Sequence, residues 1–285
     1  MGLLYGLSSV IFMNAAPVMN KFILNSSSPI FAAFANASLS FVFFKIIDCW
    51  KSRSMRFHCS LHTLTGGIFN GLGLVFLFLA LQYIHPAIVG FVGRLGIVFA
   101  MILSTFFLKQ RPDGFEICLG GLALLGALGS AIHDSSTSSW LGFLYALGST
   151  LSFSLSNLNF KFASHQYSSS EILSSSYFFS AIMLLIFCAI SSEPLKYATD
   201  LRGWGSILMG SLFGSCLGFW CYLESLKFLS FSRATLLRAT GPLFTALIAY
   251  PFFGFKFSSE QVASASLLFF AIILLSFREK RKVRA

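Results

Sequence analysis

Apolar residues run through this chain in continuous blocks of about twenty, separated by short polar stretches, without the inside-outside alternation of a strand. A helix needs roughly 20 apolar residues to cross about 30 Å of hydrocarbon, so the pattern predicts membrane-spanning helices. Ten are expected: residues 2–23, 29–47, 63–83, 86–108, 114–132, 140–162, 171–191, 204–223, 231–253 and 258–277, numbered here as spans 1 to 10. A closed β-barrel also satisfies every backbone group in lipid, but it is built from short alternating segments. The expected fold class is an all-α membrane protein. Span 1 has no basic n-region and no small-x-small cleavage site, and it holds Asn14, Pro17, Asn20 and Lys21. It therefore reads as a retained helix rather than a removable signal peptide.

The pattern also reads twice. "YGLSSVIFMNAAPVMNKF" from Tyr5 and "YALGSTLSFSLSNLNFKF" from Tyr145 align at an offset of 140, which pairs Lys21 with Lys161. Further along the offset drifts, so that Gly67 and Gly71 match Gly210 and Gly214, and Arg94 matches Arg238. The domains expected are residues 1–133 and 134–277, followed by a basic tail at 278–285. Five helices per copy make the second copy enter the bilayer from the opposite side, the inverted repeat found in many secondary transporters.

Composition agrees with burial in lipid: 56% of the 285 residues are hydrophobic, 11% are charged, and 35 are Phe. Of the twenty Lys and Arg, thirteen fall on one side of the predicted topology and four on the other, which places both termini in the cytoplasm. The net charge of +10 and the tail "REKRKVRA" are expected to anchor topology or meet anionic lipid rather than nucleic acid. Six cysteines form no CxxC pair and read as small core residues, not disulfides or metal ligands. No HExxH, Gly-x-Ser-x-Gly or P-loop is present, and His85 and His133 have no second ligand at useful spacing. Neither an enzyme nor a cofactor is expected.

The stretches "LFLALQYIHPAIVGFVGRLGIVFAMILSTFFLKQRPD" and "CYLESLKFLSFSRATLLRATGPLFTALIAYPFFGFKFSSEQ" resemble the drug/metabolite transporter superfamily, in particular its ten-helix EamA-type members. The family's usual Glu after spans 4 and 9 is replaced here by Gln110 and Phe255. The resemblance implies a central cavity lined by spans 1 to 4 and 6 to 9, with spans 5 and 10 peripheral. It also sets Asn20, Lys21 and Lys161 beside the lysines with which related carriers bind phosphorylated solutes.

Buried polar groups supply the candidate site. An arginine at mid-membrane costs about 3 kcal/mol on insertion scales, so it is expected to face a wet cavity or a partner. Arg94 and Arg238 fall near the middle of spans 4 and 9, and the middle of no span holds an acid to neutralise them. Together they would attract an anion. Pro242 has no N–H for the carbonyl of Arg238, and Pro17 likewise frees that of Met13, beside Asn14. Each proline is read either as a helix break at a binding site or as a packing kink. Lys21 and Lys161 are read either as cavity cations or as helix-end residues snorkelling to headgroups. Asn14, Asn20, Asn157, Tyr83 and Tyr222 complete the candidate substrate site, the tyrosines being equally suited to an interfacial belt. Gly67, Gly71, Gly210, Gly214 and Gly218 give smooth faces for helix packing.

The function expected is a secondary, ATP-independent transporter of a small organic anion or zwitterion, phosphorylated solutes included, working by alternating access as a monomer or homodimer in a bacterial inner membrane. The alternatives are an exporter of amphipathic cations or amino acids, which would need a membrane carboxylate, and a membrane scaffold without transport.

Overall fold

The structure is a computed structural model, and it describes residues 1–52, 59–93, 95–109, 114, 117–118, 121, 140–190, 201–231, 234, 237–238 and 241–253. These residues form helices and connecting turns, with no strand among them. In chain order the helices are α1 (Gly2–Ile23), α2 (Pro29–Ser52), α3 (Leu61–Tyr83), α4 (Pro86–Val92), α5 (Leu95–Phe107), α6 (Trp140–Ala163), α7 (Ser169–Ile190), α8 (Leu201–Gly210), a π-helical segment (Ser211–Gly218), α9 (Phe219–Phe228) and α10 (Gly241–Phe253). Most of spans 5 and 10, and the basic tail, lie outside the described residues.

Six described segments are long and apolar enough to cross a bilayer: Gly2–Ile23, Pro29–Cys49, Leu61–Tyr83, Ile88–Phe107, Ser169–Ile190 and Leu201–Phe228. Large apolar side chains stand exposed along them, including Leu4, Leu7, Ile11, Val42, Ile46, Ile182, Leu185 and Leu208. A water-soluble surface rarely carries that much apolar side chain, and lipid is the solvent that suits it. The chain is a multi-pass membrane protein. The segment α6 is long enough to cross but is rich in Ser and Asn, and most of those polar groups are buried against other helices.

Local sequence signals set several helix ends. Ser60 and Thr63 form a reciprocal capping box at the start of α3. Ser168 and Glu171 do the same for α7, the Glu171 carboxylate accepting from the Ser168 N–H at 2.9 Å while the Ser168 hydroxyl accepts from the Glu171 N–H at 3.4 Å. The predicted boundaries hold to within a few residues for spans 1, 3, 6 and 7. Span 4 differs: it is interrupted, with α4 ending at Val92, Gly93 in a turn and α5 starting at Leu95. Span 8 also differs, running from Leu201 to Phe228 through the π-helical segment instead of ending at residue 223.

The bundle is built on two antiparallel pairs, and small residues bring the helices of each together. In the first pair, α1 lies against α8, the π segment and α9. A Cβ at Gly214 would collide with that of Ala16, and one at Gly218 would stand 2.9 Å from the Met13 nitrogen. In the second pair, α3 lies against α6, where a Cβ at Gly73 would sit 2.7 Å from the Phe153 ring and the Ser149 hydroxyl donates to the Gly73 carbonyl at 3.0 Å. Between the pairs, α2 and α7 pack through stacked Phe44 and Tyr177, with ring centroids 6.0 Å apart.

Contacts recur between the two halves of the chain at fixed offsets. Gly73 meets Phe153, and Gly218 meets Met13. Gly96 meets Ser154, and Gly241 meets Asn14. Partners on α1 and α6 are separated by 140 residues, as in the sequence alignment, whereas partners on spans 3–4 and 8–9 are separated by 145. Gly67 and Gly71, which the sequence aligns with Gly210 and Gly214, therefore do different work. They pack on Ser176, Phe179 and Met183 of α7, while Gly210 and Gly214 pack on α1.

Candidate functional site

A cavity of about 210 Å³ lies between the two antiparallel pairs. Its wall is made by α1 (Met13, Asn14, Ala16, Pro17, Asn20), α3 (Asn70, Leu74, Leu77), the α4–α5 break (Val89, Gly90, Gly93, Gly96, Ile97), α6 (Ala146, Ser149, Thr150, Phe153, Ser154, Asn157) and the π segment with its flanks (Gly210, Gly214, Ser215, Phe219). Asn36, Tyr177 and Arg238 complete it.

Arg238 is the one charged side chain among these lining residues. Its guanidinium carbon stands 4.7 Å from the centroid of the fully buried Tyr222 ring, an arrangement in which the negative face of the ring offsets part of the cost of holding a cation away from water. Tyr222 in turn stacks on Phe219, with centroids 5.9 Å apart. Tyr222 thus supports the cation from behind, whereas Tyr83 is exposed and stacks on Tyr145 at the end of the bundle. Of the two tyrosines, only Tyr222 is placed for a role at the site.

The helix breaks flank this position. Span 9 restarts as α10 at Gly241, which puts Pro242 at the second helical residue, where its missing N–H costs nothing. Gly241 lets the Asn14 side chain pack directly on the start of α10, and Thr245 donates to the Asn14 side-chain oxygen at 3.1 Å. Pro17, by contrast, sits inside α1, which runs on unbroken to Ile23 and gives the residue to the cavity wall. Arg94 lies outside the described residues. Its neighbours Gly93 and Gly96 line the cavity.

The lysines are placed elsewhere. The Lys21 ammonium donates to the carbonyl of Leu81 near the end of α3, and the Lys161 ammonium donates to the carbonyl of Leu226 near the end of α9. Both carbonyls lie two residues before the last helical residue, where no intrahelical N–H is available to them. Neither lysine lines the cavity, and each ties one antiparallel pair to the other, at opposite ends of the bundle.

Sequence reading missed a polar layer. The Ser215 hydroxyl donates to the Asn36 side-chain oxygen at 2.9 Å, Asn70 donates to Ser180 at 3.3 Å, and the Tyr177 hydroxyl is in hydrogen-bond contact with Ser215 and Asn70. The signal was available, because an amide inside an apolar block, as at Asn36 and Asn70, needs a partner or a wet cavity. Asp48 was also missed as a buried acid. It lies near the end of α2 and accepts from Ser174 at 2.6 Å, away from the cavity wall. Glu224 is paired with Lys227 at 2.8 Å, and it too lies off the wall. Among the described residues no cluster of His, Cys, Asp and Glu could hold a metal ion.

Known proteins agree with this architecture. The chain is 22% identical over 192 residues to the inner membrane transporter YicL of Salmonella typhimurium, a match covering 66% of this chain and 56% of that one, so it spans little more than half of the relative's length. A protein of known crystal structure shares its fold with a TM-score of 0.76 over 98% of each chain, at 15% identity. The model of the EamA-like transporter family matches residues 1–132 and again 140–277. With both halves covered, the chain belongs to the EamA-like transporter family.

Proposed function

We propose that this protein is a secondary transporter for small organic anions or zwitterions, phosphorylated solutes included, and that it works by alternating access in the inner membrane, where its relative YicL resides. The observation that carries this reading is Arg238 at the cavity wall with no Asp or Glu among the described lining residues. In a low-dielectric setting a cation without a protein counter-ion attracts a negatively charged solute far more strongly than it would in water. Arg94 would add a second cation from span 4.

Two inverted five-helix repeats with both termini cytoplasmic are the arrangement proposed. It is supported by the contacts that recur between the halves, Gly73 with Phe153 against Gly218 with Met13, and by the matched lysine caps at opposite ends. A cation exporter would want a carboxylate at the cavity. Among the described residues, Asp48 and Glu224 lie off the cavity wall and are engaged elsewhere.

The test is transport into proteoliposomes of whichever anion most raises the melting temperature in a screen of metabolites sorted by charge, since a ligand that favours the folded state does so by mass action. Arg238→Ala and Arg94→Ala should each abolish uptake while leaving the folded yield close to that of the native protein. Transport that survives both substitutions would reject the assignment.

A further inference from the structure

We propose that the cargo is an amphipathic organic acid, with its acidic group at Arg238 and a compact apolar body against Met13, Leu77 and Phe153. The inference rests on the anion-carrier reading of the same cavity and narrows it. Among the described polar side chains on the wall, only Asn14 and Arg238 keep accessible surface; the other asparagines, the serines, Thr150 and Tyr177 are buried. Hydrogen bonds turn many of them toward the protein. The Ser149, Thr150 and Ser154 hydroxyls donate to the carbonyls of Gly73, Ala146 and Thr150, Ser215 donates to Asn36, and Asn70 donates to Ser180. Asn14, though half-buried, donates to the Val10 carbonyl and accepts from Thr245. Arg238 differs, because a guanidinium has five N–H donors and the Tyr222 hydroxyl can take up few of them.

The apolar lining is more open. Met13, Pro17, Leu77 and Phe153 all line the cavity and keep accessible surface. Met13 and Phe153 hold equivalent places in the two halves, one packed on Gly218 and the other on Gly73. The register set by those contacts, and by Gly96 with Ser154 against Gly241 with Asn14, also pairs Leu77 with Tyr222 and Gly93 with Arg238. Where the second half of the chain sets a guanidinium over an aromatic ring, the first half has a leucine and a residue without a side chain. The described wall is therefore charged on one side and apolar on the other. A hydroxylated acid would give up water at each hydroxyl for surface that offers few partners, which costs free energy. An apolar body gains by leaving water, in proportion to the area it buries. An apolar cavity of about 150 Å³ holds benzene, so one of about 210 Å³ takes a body of about six carbons beside the acid.

The experiment measures melting temperature for the purified full-length protein with propionate, hexanoate, gluconate, succinate and tetraethylammonium. Hexanoate and gluconate have the same number of carbons and differ in their hydroxyls. Hexanoate should protect at concentrations at least about tenfold lower than propionate, gluconate or succinate, since each buried methylene is worth about fourfold in affinity. Leu77→Asn, which is nearly isosteric, should raise the hexanoate concentration needed by about fourfold while changing that for propionate little, and Met13→Gln gives the same reading from α1. A rise in either variant supports the contact, and no rise in both overturns the inference. Propionate, gluconate or succinate protecting as well as hexanoate, with the protection lost in Arg238→Gln, would overturn it too while leaving the anion reading intact. Protection by the cation alone, protection by acids that persists in Arg238→Gln, or no protection by any probe would overturn both.

Discussion

At the scale of single residues, the arginine stands over an aromatic ring, and the described residues of the cavity wall include no acid. A carboxylate beside Arg238 would neutralise it and leave little attraction for a solute, whereas the face of Tyr222 stabilises the cation and leaves its charge available. A cation held this way gains about 0.5 to 2 kcal/mol, so removing the ring should weaken solute binding by roughly 2- to 30-fold. Tyr222→Leu is therefore expected to raise the half-saturating solute concentration by at least that factor, and Tyr222→Phe, which keeps the ring but removes the hydroxyl that also hydrogen-bonds Arg238, to raise it less. Proteoliposome uptake measures both. Equal losses in the two variants would show that the hydroxyl, not the ring face, matters. The sequence singles out Arg238 and Asn14, which lie on the cavity wall, since a charge and an amide in an apolar block stand out. It could not place Tyr222, because a tyrosine near a helix end suits a lipid headgroup as well as a cavity, and only the packing of span 8 against span 9 distinguishes the two.

At the scale of helices, close approach depends on where a side chain is missing. Gly210, Gly214 and Gly218 form the face on which α1 lies, and the last of them has the Phe213 carbonyl 2.8 Å and the Met13 nitrogen 2.9 Å from where a Cβ would be. Backbone cannot yield as a flexible side chain can, and forcing added carbons into a packed contact costs about 1 to 3 kcal/mol. Gly218→Ala should lower the melting temperature by several degrees, at about 2–4 °C per kcal/mol for a protein of this order of size. Gly205→Ala in α8, which has nothing within 4 Å of the added carbon, should leave it unchanged or raise it slightly. Thermal unfolding of the two variants side by side decides the point, and indistinguishable shifts would contradict it. The repeat was visible from sequence, but its register in the second stretch was not. Apolar blocks align almost equally well one or two residues apart, so Gly67 was matched to Gly210 although contacts relate Gly73 to Gly218. The interruption of span 4 at Gly93 was hidden for a similar reason. No proline marks it, and a single glycine in an apolar run is compatible with a continuous helix.

At the scale of the whole molecule, the two lysines sit where an alternating-access protein would need reversible ties. Lys21 joins α1 to α3 at one end, and Lys161 joins α6 to α9 at the other, so each spans the seam between the antiparallel pairs that enclose the cavity. Opening the cavity toward either side would have to part the pairs at that end and break the tie there. Under the proposed orientation Lys21 lies at the outer end and Lys161 at the inner. Each bond also caps a carbonyl that the helix leaves without a donor, so it contributes stability, about 1 kcal/mol for a hydrogen bond of this kind, but only to the state closed at that end. Removing one tie should therefore bias the population by up to about tenfold toward the state open on its side, without destroying transport. A cysteine introduced at the cavity wall as Leu77→Cys, with Cys59 and Cys118 replaced by serine, gives the readout through its rate of reaction with a membrane-impermeant thiol reagent. Lys21→Met should speed labelling from the outer side, and Lys161→Met should slow it while speeding labelling from the inner side. If both substitutions changed accessibility in the same direction, the lysines would be acting as common structural clamps, and the division of the bundle into two pairs that part alternately would lose its support.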